Sequence, residues 1–200
     1  MINYLGNFEF SVVAFVGILF AFALTCLAIA KLNPYLPKDM GRQFAHDGKL
    51  SAGKPRGAGI IFIFTFVISV LLFAQMNVEI AIYLVLITVE MFTGFFDDAA
   101  EKPWGELLKG MLDLIVAIVV AMVYLHYNTN VVTLAIANMT IAIPPVIFAL
   151  LVVVLVWASI NVTNCSDGVD GLSGTLTIIS IMTIFVIDNL MGNEDDFNFC

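Results

Sequence analysis

Six long apolar runs separated by short polar stretches constrain this chain more than any other feature of its sequence. They are Phe10 to Ala30, Ile60 to Ala74, Ile80 to Phe96, Leu107 to Tyr124, Pro145 to Ile160 and Leu172 to Leu190, each bounded by polar, Gly or Pro residues. A helix needs about 20 apolar residues to cross roughly 30 Å of hydrocarbon, so the runs predict six transmembrane helices. The expected fold class is an all-α integral membrane protein, with residues 1–200 as one polytopic domain. Composition agrees: 61% hydrophobic and only 12% charged residues exclude a soluble enzyme or a disordered chain. The net charge of −8 excludes a basic nucleic-acid binder. Cys26, Cys165 and Cys200 are too few and too scattered for a disulfide framework. Met1 to Glu9 holds no basic residue, so the first run reads as a retained span rather than a cleaved signal peptide.

The basic residues orient the spans. Lys31, Lys38, Arg42, Lys49, Lys54 and Arg56 lie between the first two runs, and Lys102 and Lys109 between the third and fourth. Both loops are then cytoplasmic, and alternation puts the fifth-to-sixth loop on the same side and both ends outside. The outer polar residues, among them Glu9, Asn77, Glu79, Asn128, Asn130 and Glu194, include no Lys or Arg. On that outer side, VVTLAIANMTIAI (131–143) alternates with a period of two around Asn138, which predicts a short β-hairpin. The sequons at Asn138 and Asn161 read as chance matches.

Charged side chains at or inside membrane spans are costly, so their positions carry the functional signal. Asp97 and Asp98 stand together at the cytoplasmic end of the third span, in TGFFDDAAEKPW. Adjacent carboxylates repel one another, oppose the helix dipole, and need a cation or basic partner to stay ionised together. A divalent metal or phosphate site fits them better than a solvated helix end. The second constellation, NVTNCSDGVDGLSG from Asn161 to Gly174, brings Asn164, Asp167 and Asp170 among glycines at the start of the sixth span, where free N–H groups favour anions. The third, GKPRGAG from Gly53 to Gly59, follows His46 and Lys49 and puts Lys54 and Arg56 on flexible backbone suited to phosphate, although topology alone demands a basic loop here. Glu90, seven residues before Asp97, lies on nearly the same helix face about two turns deeper and should face the protein interior. Lys109 and Asp113 stand at i,i+4, which fits a structural ion pair and phosphate positioning by Lys109 equally well.

Taken in chain order, GKPRGAG, TGFFDDAAEKPW and NVTNCSDGVDGLSG resemble the motifs of the polyprenyl-phosphate hexosamine-1-phosphate transferases. The last is the most specific and the first the least, and together with the intervening spans they cover most of residues 31 to 190. The resemblance implies an Mg²⁺-dependent enzyme of the bacterial plasma membrane, with its active site on the cytoplasmic face. Such an enzyme moves a phospho-sugar from a uridine diphosphate amino sugar to undecaprenyl phosphate and releases UMP. Carried over by position, Asp97, Asp98 and Asp167 become the catalytic and metal-binding candidates. Asn164, Gly168, Val169 and Asp170 become contacts to the uridine and diphosphate, with Asp167 in the same loop, and Lys49 a nucleotide contact beside the candidate Lys109. This loop has Lys54 and Arg56 where the family usually shows threonines. Within the family, the likeness of NCSDGVDGLSG favours a substrate whose sugar carries a peptide over plain UDP-N-acetylglucosamine. A homodimer is implied as well, and no nucleic-acid partner.

Family members run to about ten helices, with a further metal-binding aspartate and a histidine-rich loop beyond the position of Cys200. The chain is therefore expected to be the N-terminal part of a longer enzyme and inactive alone. Two rival classes share some features. An intramembrane prenyltransferase also pairs aspartate motifs with Mg²⁺, but would tend to have Asp rather than Glu101 in its first motif and leaves the DGVDG loop unexplained. An ion-coupled transporter module would use Glu90 and Asp113, but needs helices broken at the midplane, and the clear Gly breaks lie at the cytoplasmic ends. The topology predicts that cysteine reporters at Lys49, Glu101 or Ser173 react only from the cytoplasm, and those at Asn77, Asn130 or Asn193 only from outside. One reversed site breaks the six-span arrangement.

Overall fold

The computed structural model describes residues 10–38, 53–100, 102, 104–134, 139–166 and 171–191. Lys49, Asp167, Gly168, Val169 and Asp170 lie outside the described residues, as do Arg42, His46 and Asn138. Six helices follow in the expected order: α1 (Phe10–Leu32), α2 (Gly59–Phe73), α3 (Val78–Ala99), α4 (Glu106–Tyr127), α5 (Pro145–Ser166) and α6 (Leu172–Met191). Four described segments are long and apolar enough to cross a membrane, namely Val12–Tyr35, Val78–Ala99, Glu106–Tyr127 and Pro145–Asn164. Gly59–Phe73 and Leu172–Ile187 are shorter apolar helices. The chain is an all-α membrane protein with one small sheet, in which β1 (Val131–Leu134) pairs antiparallel with β2 (Met139–Ala142), Val131 opposite Ala142. That sheet is the predicted hairpin.

Each helix packs against the next in sequence, so short connections decide the neighbours. α1 meets α2 closely at Gly17, where an added Cβ would stand 3.1 Å from Cγ of Phe73. Phe73 also tilts against Phe20, ring centres 5.3 Å apart. Further along this seam the Thr25 and Thr65 hydroxyls are 2.7 Å apart, while each also lies within reach of a carbonyl of its own helix, Ala21 O or Phe62 O. Two protons thus serve three contacts, and one of the hydroxyls donates across the interface. Small residues and shared hydroxyls are what hold helices together where lipid is as apolar as the side chains.

The hairpin end is tied by polar groups. The Asn77 side chain caps α3 by accepting from Ile80 N–H at 2.7 Å. Glu79 Oε1 accepts from Tyr83 Oη at 3.0 Å and from Asn128 Nδ2 at 2.6 Å, joining the start of α3 to the residue that ends α4. Asn130 and Ile143 close the neck of the hairpin through their backbone groups, and the Asn130 amide donates to Ile143 O as well. α4 and α5 share the most buried section, with Ala117 and Ala121 almost wholly covered and Tyr124 stacked on Phe148.

One boundary differs from the sequence expectation. α5 runs on past Ile160 to Ser166, so Asn161 and Asn164 sit on helix rather than in a loop. Asn161 supports that extra turn by donating from Nδ2 to Trp157 O at 2.9 Å. At the α1–α2 seam, Gly17→Leu is expected to cost about 1–3 kcal/mol by overpacking against Phe73. Thr65→Val, which keeps the shape and loses one shared hydroxyl, is expected to cost about 0.6 kcal/mol. SDS-driven unfolding of the two variants measures both, and equal costs would show that close backbone approach does not set this interface.

Candidate active site

The described part of the site is built where α3 ends. Asp97 and Asp98 occupy its last turn, and Ala100 N–H closes the helix on Asp97 O at 3.3 Å. Successive residues on a helix point about 100° apart, so the two carboxylates diverge. Asp97 faces α4: its Oδ2 lies 3.0 Å from Lys109 Nζ, and its Oδ1 accepts from Trp104 N–H at 2.7 Å. Asp98 faces the segment before α2, with its Oδ1 2.7 Å from Arg56 Nε. The basic partners that an acidic pair requires are therefore present, one for each carboxylate and each from a different part of the chain.

Exposure separates the two pairs. The Asp97 and Lys109 side chains are 13% and 21% exposed, against 28% for Asp98 and 43% for Arg56, so the Asp97 pair is the less screened by water. Lys109 also lies 3.4 Å from Glu106, which is almost fully exposed and adds little. The Trp104 contact makes Asp97 a turn-closing residue too: it holds the backbone seven positions on, just before Gly105 and Glu106 open α4.

The glycine-rich segment before α2 fits against this helix end. Gly57 has φ +71°, which a side-chain-bearing residue adopts only with strain, and a Cβ there would lie 3.2 Å from Phe95 and 3.7 Å from Cβ of Asp98. Glycine thus lets the backbone lie directly on α3 and presents Arg56 to Asp98. The segment is anchored from behind as well, because Arg56 N–H donates to Pro37 O at 2.7 Å and Lys38 bridges antiparallel to Pro55.

Beneath the aspartate pair, α4 is fastened to α5. Trp157 Nε1 donates to Gly110 O at 2.8 Å, and Asn161 Nδ2 donates to Oδ2 of the buried Asp113 at 3.2 Å. The close partners are Lys109 with Asp97 and Glu106, and Asp113 with Asn161. The i,i+4 ion pair with Asp113 is not formed. Asn164 stands one turn beyond Asn161 on α5, exposed, at the point where the chain leaves for residues 167–170.

Sequence reasoning placed Asp97, Asp98, Lys109 and Asn164 at the same end of the helices, and the structure joins Asp97 to Lys109 directly. It offered Arg56 as a phosphate contact rather than as a partner of Asp98, and gave no particular role to Asn161. For Arg56 the signal was its position beside Gly57; for Asn161 it was the three-residue spacing from Asn164, which puts both near one helix face. Among the described residues no group of three His, Cys, Asp or Glu side chains converges on a metal position. Asp97 and Asp98 nevertheless supply hard oxygen donors, and one or two carboxylates are the usual protein share of a Mg²⁺ site completed by phosphates and water.

Residues 80–199 match the family model described as glycosyl transferase family 4. The chain is 36% identical over 200 residues to a phospho-N-acetylmuramoyl-pentapeptide-transferase of Treponema pallidum (strain Nichols), an alignment that covers 95% of this chain and 54% of the relative. It is 31% identical over 145 residues to the protein of that name from Symbiobacterium thermophilum, covering 64% of this chain and 42% of the relative. With its namesake from Thermoanaerobacter sp. (strain X514) the identity is 29% over 185 residues, covering 87% and 58%. The chain spans about half the length of the curated relatives it matches. Asp97, Asp98, Lys109, Asp113, Asn161 and Asn164 all fall inside the family match, and the chain belongs to glycosyl transferase family 4.

Proposed function

We propose that this chain forms part of an enzyme that transfers phospho-N-acetylmuramoyl-pentapeptide from its uridine diphosphate derivative to undecaprenyl phosphate. The products are UMP and the first lipid-linked peptidoglycan precursor. The observation that carries this reading is the adjacent carboxylate pair at the end of a membrane helix, with Lys109 and Arg56 each held against one member. The names of the relatives support the sugar and its peptide.

The chemistry joins two anions. An oxygen of the lipid phosphate monoester attacks the phosphorus bonded to the sugar, a P–O bond forms, and the P–O bond to UMP breaks. The second pKa of a phosphate monoester is near 6, so the attacking dianion exists at neutral pH and needs little base catalysis. Repulsion between lipid phosphate and diphosphate is the larger obstacle. Charge neutralisation and in-line alignment are what such a site has to provide. Lys109 is suited to this because its ammonium carries three donors, and Asp97 steadies it without using all of them. Arg56 offers a planar donor fork of the geometry that phosphate oxygens accept.

Bound Mg²⁺ would spread the negative charge of the phosphate oxygens. Asp97, Asp98 and Asp167 are the candidate ligands; because the Asp97 and Asp98 side chains diverge, one of that pair would hold the ion while the other keeps its basic partner. Asn164, Gly168, Val169 and Asp170 would receive the uridine and diphosphate, and Lys49 the nucleotide. The positive-inside pattern supports a cytoplasmic site with both ends of this segment outside, and the resemblance supports a homodimer.

In the complete enzyme, Asp97→Asn and Asp98→Asn are each expected to lower UMP release by roughly 10²-fold, and chelation of Mg²⁺ to abolish it. Near-wild-type turnover in both variants removes the pair from the reaction. Offering UDP-N-acetylglucosamine beside the peptide-bearing nucleotide tests the substrate, since lipid product from the plain sugar alone would overturn that part of the reading. Turnover should also fall as pH drops through about 6, where the attacking phosphate loses its second negative charge. A rate unchanged to pH 5 would exclude the dianion as nucleophile.

A further inference from the structure

The β1–β2 hairpin closes the end of the α4–α5 pair remote from Lys109, and its register sorts its side chains by face. Val132 pairs with Ile141 and Leu134 with Met139, which puts four large apolar side chains on one face. Val131 opposite Ala142 and Thr133 opposite Thr140 make the other face, which is smaller and more polar. Among the described residues no helix covers the sheet: every residue of β2 is exposed, and in β1 only Val132 is partly covered. On the apolar face Leu134, Met139 and Ile141 are 44%, 54% and 41% exposed. A two-stranded hairpin is marginal in water by itself and needs an apolar surface to pack against. Charge narrows what that surface can be, because the sequence holds no Asp, Glu, Lys or Arg between Asp113 and Asp167. The hairpin therefore has nothing with which to form ion pairs.

We propose that this hairpin lies flat in the bilayer interface, with Val132, Leu134, Met139 and Ile141 turned to the acyl chains and Thr133 and Thr140 toward headgroups and water. Its tethers hold it at that level. Asn128, Thr129 and Asn130 join α4 to β1, and Ile143 and Pro144 join β2 to α5. At most about 3.6 Å per residue, these links keep the start of the sheet within roughly 10 Å of the helix ends. The helix end marks the interface itself, since Tyr124 and Tyr127 lie in the last turn of α4 and such side chains settle at headgroup level. The apolar surface also runs on without a break: Tyr127 before the hairpin and Val146 and Ile147 after it are exposed on membrane spans. The open edges of the sheet set the opposite limit. Their unpaired N–H and C=O groups need water, which excludes the hydrocarbon centre and leaves the interface.

The test places a nitroxide label singly at Leu134, Ile141, Thr133 or Thr140, with Cys26, Cys165 and Cys200 replaced by serine, in the full-length protein in phosphatidylcholine nanodiscs. Spin relaxation is then read with oxygen, which concentrates in lipid, and with a nickel chelate confined to water. Labels at Leu134 and Ile141 should meet oxygen several-fold more than nickel, and labels at Thr133 and Thr140 the reverse. Ile141→Asp should bring nickel to the Leu134 label, whereas Thr140→Asp, on the opposite face, should not. Nickel reaching all four labels equally means a hairpin standing in water and overturns the proposal. So does shielding of Leu134 and Ile141 from both reagents, the mark of a second copy or another protein segment on that face. Loss of lipid contact at Leu134 as complete in Thr140→Asp as in Ile141→Asp overturns the assignment of faces. The four label positions decide the matter even where an aspartate variant fails to fold.

Discussion

Two neighbouring carboxylates at the C-terminal end of a membrane helix are held against their own repulsion and against the helix dipole, and the architecture around them follows from how that charge is balanced. The helix rotation sends Asp97 and Asp98 in different directions, so one cation cannot serve both in the same way. Lys109 comes from the first turns of α4, and Arg56 from the segment before α2. Three separate parts of the chain are thereby drawn to one point. The Trp104 contact adds a backbone donor to Asp97, which fixes the connection into α4 as well as the charge.

Elsewhere, polar groups at membrane depth follow one rule: each finds a neighbour on the same or the next helix. Thr25 and Thr65 share protons across α1 and α2, Asn161 reaches Asp113, and Trp157 donates to Gly110 across the seam of α4 and α5. Such bonds are modest singly, about 0.6 kcal/mol on average in lipid, but each is specific about register. The α4–α5 bonds carry most weight for the site, because they set where Asn164 stands along α5 relative to Lys109 on α4. Among the described residues, Glu90 departs from the rule on one oxygen.

The parts legible in the sequence were those governed by a single period or by membrane electrostatics. Apolar length gave the six helices, alternation by two gave the pairing of 131–134 with 139–142, and repulsion between Asp97 and Asp98 demanded basic partners before any were visible. Which cations would answer was not legible, since that depends on how helices distant in sequence pack. Lys109 shows why: its i,i+4 spacing from Asp113 suggested a local pair, but such a pair contributes only a few tenths of a kcal/mol, and Asp97 at the helix end competes better. Asn161 was hidden by its own sequon and by the expectation that α5 stops at Ile160. The polar stretch continues as helix because Asn161 bonds back to Trp157 O.

The backbone contacts at the base of the first basic loop carry a consequence for how this protein can vary. Pro37 and Lys38 are zipped to Pro55 and Arg56, so the chain between them enters and leaves through one closed neck. Closing a longer loop on a neck already formed costs only about 0.6 kcal/mol per doubling of its length. Changes in the length of that stretch, provided they spare Lys49, can therefore accumulate without moving Arg56 from Asp98 or altering the seam of α1 and α2. The neck uncouples how long the loop is from the charge balance at its base.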